Sequence, residues 1–320
     1  MENTLGSLLE NARKRKNISR FVLAKGLCTE MSLSRYESGI RIPDKFLADA
    51  LLERLGLNPY RFEFITSKKE FDYWMQRDKI EKLLWFEKYE EANEAIKEYQ
   101  ASVKARDKLH MQYVQIAAAQ VLCSQAKKQE EKKCLCNALE STKAMEFVEG
   151  NQVTLLSNLE IKACCMLAEN FYDTGEKENA FYVYSKLKKY MHREEKSEEV
   201  LGIDLNDERR KEYYPLILFR LSEEKELAYN WGEALHFLEE AEKLIRQEYK
   251  INLLYDILKN KERIQRQINK LEKTGQNMNG KKNECNIEFS EALNMIRKSN
   301  YGILTEESIG IWESIAKHPL

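Results

Sequence analysis

The chain has 320 residues with 43% hydrophobic and 33% charged content but only 12 Gly and 4 Pro; so few helix breakers exclude a sheet-rich fold and predict an all-α protein with proper cores. Its net charge is −1, yet residues 1–66 carry 11 Lys and Arg against 8 Asp and Glu. The N-terminal segment therefore has a small positive net charge, which would favour contact with nucleic-acid phosphates. No apolar stretch reaches the length of a signal-peptide core or a membrane span, which predicts a cytoplasmic protein without a membrane partner.

Residues 19–43 contain two short amphipathic segments joined by a tight turn. Ser19 opens the first segment and Thr29 the second, and both residue types suit the N-cap of a helix. Gly39 can adopt the left-handed conformation that ends a helix, and we expect Pro43 in the first turn of the next helix. Two short helices in this arrangement are typical of a helix-turn-helix module, whose second helix enters the major groove of double-stranded DNA.

Two further predicted helices flank these segments. Residues 5–16 place apolar side chains on one face and end in four basic residues, which suit a helix C-terminus. Another apolar helix runs from Pro43 to Gly56, where the glycine can end it. The sequence therefore predicts a five-helix-type helix-turn-helix domain over residues 1–66, and the basic, aromatic stretch after Pro59 predicts a short helix or stiff connector.

The outward face of the second segment supplies the candidate DNA contacts. Arg20 and Thr29 lie near helix N-termini, where basic side chains and free N–H groups meet phosphates. Ser32 and Arg35 are expected to face base edges, and a bidentate contact from Arg35 to guanine would discriminate by about 1–3 kcal/mol. The alternative for Arg35 is a solvated or phosphate-contacting side chain. The full candidate set is Arg20, Thr29, Glu30, Met31, Ser32 and Arg35.

From about residue 70 the sequence changes to long helices in antiparallel pairs. Three stretches share a signature in which a turn is followed by a small Ala and, four positions later, by a bulky residue. The signature looks like the tetratricopeptide repeat and, with a further pair expected at about 106–147, predicts an α-solenoid over residues 67–274; an irregular helical bundle is the alternative. The three stretches are 83–99 with Ala92 and Ile96, 171–190 with Ala180 and Tyr184, and 227–245 with Ala234 and Leu238.

The seven cysteines follow no disulfide-framework spacing, which indicates a reducing environment. Cys134 and Cys136 are the only pair that suggests a metal site, but two residues apart on a helix they point to different faces. We therefore expect small apolar side chains there, and neither a metal nor a cofactor. The last segment, residues 275–320, begins as a polar loop and continues as two amphipathic helices, which would cap the solenoid or make a dimer contact.

A helix-turn-helix followed by a tetratricopeptide-like solenoid resembles the Rgg/PlcR-type family of peptide-responsive transcription regulators, also called RRNPP regulators. The best local match is GLCTEMSLSRYESGIRIP, residues 26–43, which is close to the XRE-like motif of that family. The resemblance implies a homodimer that binds a palindromic promoter site and a solenoid that holds a short signalling peptide, as in quorum sensing. It also implies that Arg13 and Glu37 form the family's buried pair between the first and third helices, so that loss of Arg13 would strand a carboxylate.

Candidate peptide contacts lie on two predicted helices of the solenoid. Asn side chains on the concave face of a solenoid can satisfy both the N–H and the C=O of an extended peptide, although Asn near a helix end is often a cap instead. A Lys or Arg there could pair with a peptide carboxylate. The candidates are Asn158, Lys162, Cys165 and Asn170 on the first helix, and Tyr214 and Arg220 on the second.

Catalysis has little support in the sequence. It contains no Gly-rich phosphate loop, no HExxH and no GxSxG motif, and its four His residues are scattered, so we expect no enzyme. Two other functions combine the same modules. One is a phage-type, peptide-controlled regulator of lysis and lysogeny, and the other is a DNA-anchored scaffold regulated by a protein partner.

Overall fold

The computed structural model describes residues 5–59, 67–150, 155–196, 208–248 and 253–273. These residues form α-helices and no β-strand, so the prediction of an all-α fold is confirmed. In chain order the helices are α1 (Leu5–Arg15), α2 (Arg20–Ala24), α3 (Glu30–Glu37), α4 (Lys45–Arg54), α5 (Lys68–Trp85), α6 (Tyr89–Ser102), α7 (Lys108–Ser124), α8 (Lys128–Ser141), α9 (Met145–Glu149), α10 (Asn158–Asp173), α11 (Lys177–Lys196), α12 (Glu208–Leu227), α13 (Trp231–Glu248) and α14 (Leu254–Lys273).

Two compact units divide the chain, Met1–Ile217 and Leu218–Leu320. The first contains α1 to α11 with the start of α12, and in the second α13 packs on α14. The division into residues 1–66, 67–274 and 275–320 stays a prediction. The connector expected after Pro59 and the two helices expected in the last segment lie outside the described residues.

Helices α1 to α4 enclose a core of leucine side chains, among them Leu9, Leu23, Leu33 and Leu51, which are fully buried. Each such burial stabilises the fold by roughly 1.5–3 kcal/mol relative to an exposed side chain. Gly6 lets α1 lie directly against the end of α3, since a Cβ there would come within 2.2 Å of the Tyr36 carbonyl oxygen.

The predicted ends of the short helices are confirmed with one exception. Ser19 and Thr29 accept hydrogen bonds from the N–H groups of the first turns of α2 and α3, and Gly39 has a φ of 73°. Pro43 was expected in the first turn of α4, and this is wrong. Asp44 is the N-cap, accepting the Leu47 N–H at 2.9 Å, because its carboxylate satisfies a free N–H that a proline ring cannot. Pro43 therefore precedes the cap.

The hairpins of the remaining helices share a turn and a packing pattern. Their turns contain one residue with a φ between 56° and 86°, which in chain order is Glu87, Ala126, Gly175 and Tyr229. Five residues later comes a position that is at most 2% exposed, occupied by Ala92, Glu131, Ala180 and Ala234. Four residues further on, a large buried side chain follows, which is Ile96, Leu135, Tyr184 and Leu238. The expected pair at 106–147 is thus present as α7 and α8, with Glu131 in place of the small residue.

Consecutive helices of the first unit pack on one another in chain order: α5 on α6, α6 on α7, α7 on α8, α8 on α10 and α10 on α11. Stacking of successive helix hairpins in this way is how a solenoid builds its core. One cluster of buried side chains, including Ile80, Tyr99 and Tyr113, joins α5, α6 and α7.

Candidate nucleic-acid interface

Helix α3 buries one face and presents the other to solvent. Leu33 and Tyr36 lie in the core. On the opposite side Glu30 and Arg35 are exposed, and Met31 is 66% exposed. A helix of two turns with this outward face has the dimensions that the major groove accepts.

Thr29 and Ser32 are joined at the start of α3. The Thr29 Oγ1 accepts the Ser32 N–H at 3.1 Å and donates to the Ser32 Oγ at 2.9 Å. Because the Ser32 hydroxyl is the acceptor in this second contact, its own hydrogen remains available for a further acceptor. The positive end of the helix dipole adds to this, so the first turn is suited to an oxygen anion such as a phosphate.

Arg20 has a position that the sequence did not reveal. Its Nε donates to Glu37 Oε2 at 2.6 Å, and Glu37 also accepts from Arg13 Nε at 2.6 Å and from Arg13 Nη2 at 3.0 Å. The side chain of Glu37 is buried, that of Arg13 nearly so, and that of Arg20 is partly exposed. Arg20 therefore links the start of α2 to the end of α3, and its phosphate contact stays a prediction.

This cluster also changes the energetic expectation for Arg13. From the sequence, loss of Arg13 leaves Glu37 without a counter-ion. In the structure Arg20 would still neutralise it. Burial alone would raise the pKa of Glu37, but the hydrogen bonds from Arg13 and Arg20 outweigh it and lower the pKa below its usual value.

Sequence analysis overlooked Arg41 as a candidate contact. It lies in the exposed loop after α3, where its N–H donates to the Arg35 carbonyl oxygen at 3.2 Å. Its guanidinium carbon is 5.9 Å from the centre of the Tyr36 ring. The available signal was a basic residue two positions after Gly39, because this glycine marks the end of the helix that is predicted to enter the major groove.

The predicted peptide contacts on α10 separate into two groups. Asn158 and Lys162 are half-buried on one side of the helix, where Lys162 Nζ lies 3.5 Å from Glu81 Oε2. Cys165 and Asn170 lie in the interior, and Asn170 donates its Nδ2 hydrogen to the Lys128 carbonyl oxygen at 2.9 Å. In this conformation only the first pair is partly exposed. All four contacts stay predictions.

The two candidates on α12 have different surroundings. Tyr214 is fully buried. Arg220 is largely buried and lies 3.1 Å from Glu223 on the same helix. Their contact with a peptide also stays a prediction.

The first turn of α10 contacts the helix-turn-helix domain directly. Arg54, at the end of α4, pairs with Glu160 at 2.7 Å, and both side chains are at most 1% exposed. Arg54 Nη1 also donates to the carbonyl oxygens of Leu23 and Lys25 at 3.1 and 2.6 Å, at the end of α2. Glu160 in turn caps α10 through the Ser157 N–H at 2.7 Å. One buried ion pair therefore joins α2, α4 and α10.

Two further contacts support the same junction. The Asn158 N–H donates to Glu53 Oε2 at 2.9 Å. Gly26, with a φ of 76°, lies so close to Thr142 that a Cβ would be 1.9 Å from its carbonyl oxygen. Sequence reasoning missed this junction because its partners are more than 100 residues apart along the chain.

Within the described ranges, no helix has the length and apolarity needed to cross a membrane. The same ranges hold no group of three or more His, Cys, Asp or Glu side chains that could bind a metal ion.

Comparison with known proteins identifies the N-terminal segment. A family model described as Helix-turn-helix matches residues 9–62. No curated protein matches the chain. Among solved structures, a crystal structure of Bacillus thuringiensis PlcR in complex with the peptide PapR7 and DNA is similar to it, with a TM-score of 0.47 and 12% sequence identity over 98% of this chain and 95% of that one. Residues 9–62 are therefore a helix-turn-helix domain.

Proposed function

We propose that this protein is a DNA-binding transcription regulator and that a short peptide bound by its repeat helices controls it. The observation that carries the DNA-binding part is the outward face of α3, with Arg35 and Met31 exposed above a buried Leu33 and Tyr36. The helix-turn-helix family match over residues 9–62 supports it independently. Thr29 and Ser32 would hold a phosphate while Arg35 reads a base edge.

Control by a peptide is supported by the position of α10. Asn158 and Lys162 lie on its half-buried side, and an extended peptide offers the amide and carboxylate groups that these side chains bind. The match of residues 26–43 to the motif of Rgg/PlcR-type regulators points the same way, because regulators of that family respond to peptides.

A physical route connects such a ligand to DNA. Asn158 and Glu160 are in the first turn of α10, and both contact α4 of the helix-turn-helix domain. A peptide that binds one arrangement of α10 more tightly than another would shift the position of that domain. The same argument holds whether the peptide strengthens or weakens DNA binding, and the DNA titration with peptide distinguishes the two.

Fluorescence anisotropy on labelled DNA from the region upstream of the protein's own gene tests DNA binding. We expect Arg35→Ala to weaken binding by about tenfold or more and to relax the preference for the natural sequence over a scrambled one, as loss of a base contact worth 1–3 kcal/mol does. The control is Lys97→Ala, which removes an exposed cation from α6. Equal affinity of the original chain for both DNA sequences would contradict the proposal.

The same titration in the presence of peptides tests whether a peptide regulates DNA binding. The probes are synthetic C-terminal fragments of short reading frames beside the gene, with scrambled peptides as controls. We expect one fragment to change the affinity for DNA, and Lys162→Met to reduce that response without changing the affinity measured in the absence of peptide. Binding that ignores every peptide but changes with a neighbouring protein would instead favour the scaffold function.

A further inference from the structure

Helix α5 presents large apolar side chains to solvent. Trp74, Met75, Trp85 and the capping residue Phe86 are between 43% and 69% exposed. With Asp78 and Lys82, which lie between them on the same side, they form what we call the α5 stripe. The opposite side of the helix buries Tyr73, Ile80 and Leu84 in the repeat core. The stripe extends over roughly 18 Å, at 1.5 Å per helical residue.

This exposure is unusual for the helix that begins a stack of hairpins. A terminal helix of a solenoid normally turns a polar face outward, because no further repeat covers it. Contiguous exposed aromatic side chains mark a surface that a partner covers. Phe71, one turn before the stripe, stacks on Trp74 with ring centres 5.9 Å apart and so extends the apolar surface.

The order of residues in the α5 stripe identifies that partner. Two apolar residues, an acid, a base and two apolar residues follow one another, and the spacing reads the same from either end, centred on residue 80. When two copies of a helix lie antiparallel about a two-fold axis, residues equally far from the centre face each other. Such a pair would put Trp74 against Phe86 of the partner subunit and Met75 against the partner's Trp85, both favourable contacts.

The charges match in the same arrangement. Asp78 would face the partner's Lys82 on both sides of the axis, so each copy supplies the counter-charge that the other needs. Within one copy, Lys82 Nζ already lies 2.6 Å from Asp78 Oδ2, and both side chains are partly exposed. Two such pairs brought together form a ring of alternating charges. A parallel pair would instead bring like charges together.

We propose that the α5 stripe is the surface through which two copies of this protein pair, with their α5 helices antiparallel. The proposal goes beyond the proposed function and rests on it only for the use of a dimer, since paired helix-turn-helix modules read two half-sites of a palindrome. The pairing is measured without DNA, so its failure is distinguishable from a failure of DNA binding.

Sedimentation velocity of the full chain over a range of concentrations is the first test. We expect a concentration-dependent dimer, and Trp74→Glu and Trp85→Glu should each weaken it by about tenfold or more, as loss of a central aromatic anchor does. Leu227→Glu is the control, because Leu227 is 61% exposed on another helix; it should leave the dimer unchanged. Circular dichroism checks that each variant keeps its helices. A chain that stays monomeric, or a dimer indifferent to both tryptophans, overturns the proposal.

Exchange of the two charges tests the antiparallel orientation. Asp78→Lys places lysines opposite lysines, and Lys82→Asp places aspartates opposite aspartates, so each variant alone should dimerise less than the original chain. A mixture of the two variants restores opposite charges at both contacts, and we expect mixed dimers in native mass spectrometry. Single variants that dimerise as well as the original chain, or a mixture that forms no mixed dimers, overturn the orientation.

Discussion

Glu37 makes the stability of the helix-turn-helix domain depend on pH. Its carboxylate is buried between Arg13 and Arg20, and their hydrogen bonds lower its pKa below its usual value despite the opposing effect of burial. Because the unfolded chain binds this proton more readily than the folded one, the cluster contributes stability above the unfolded pKa of about 4.3. That contribution is lost as the pH falls through the lowered pKa of the folded state.

Substitution of this one carboxylate should therefore change the acid limb of the stability curve. We expect Glu37→Gln to lower the free energy of unfolding at pH 7 and to flatten its decline below pH of about 4.5. Urea denaturation between pH 3 and 7 measures both effects. Glu94→Gln, at an exposed position on α6, is the matched control. An unchanged acid slope in Glu37→Gln would mean that other carboxylates cause the decline.

At the level of elements, local chemistry made some features predictable. The caps Ser19 and Thr29 and the turn at Gly39 follow from residues that contact their own neighbours in sequence, which a single chain reveals. Pro43 was misplaced because Asp44 is the stronger cap. The Arg54–Glu160 junction was missed because nothing in either local sequence indicates the other. Likewise, burial of Cys165 and Asn170 depends on neighbouring helices and not on the periodicity of α10.

The α7–α8 hairpin did not match the repeat signature in the sequence, because the position that is Ala in the other hairpins is occupied by a glutamate. Its small position holds Glu131, which is 2% exposed, with Oε2 3.2 Å from Lys128 Nζ but accepting no hydrogen bond. Lys128 also pairs with Asp173 at 2.8 Å, so it keeps a partner when Glu131 is removed. Replacement of a buried ion pair by apolar groups is often neutral, whereas a new buried charge is costly.

Substitutions that remove or introduce a glutamate at this repeat position should therefore have different effects on the free energy of unfolding. We expect Glu131→Ala to change the free energy of unfolding by less than about 1 kcal/mol, and Ala92→Glu at the equivalent position to lower it by about 3 kcal/mol or more. Thermal and urea unfolding of the two variants, followed by circular dichroism, give the comparison. A larger loss in Glu131→Ala than in Ala92→Glu would show that the carboxylate is needed where it lies.

For the molecule as a whole, the buried pair Arg54–Glu160 is a central contact between the helix-turn-helix domain and the repeats of the first unit. Arg54 contacts the ends of α2 and α4, while Glu160 caps α10. A movement of α10 would therefore displace the ends of α2 and α4. Removal of one member of a buried pair costs about 3–5 kcal/mol, because the other charge is left without its partner.

Glu160→Gln tests this coupling with little disturbance of α10, since the amide oxygen can still accept the Ser157 N–H. Arg54 keeps its two carbonyl acceptors but loses its counter-charge, so we expect the helix-turn-helix domain to unfold at a lower temperature than the repeats and calorimetry to resolve an additional, earlier transition. Lys132→Met is the control, because the Lys132–Glu176 pair is half-exposed at 2.8 Å and should contribute at most about 1 kcal/mol. If the calorimetric profile of Glu160→Gln matches that of the original chain, the other contacts of the domain with the repeats hold it without the ion pair. These include Gly26 against Thr142, the Asn158 N–H on Glu53 and the Phe46 ring against His110 and Tyr113. A peptide signal would then have to reach α3 through those contacts instead.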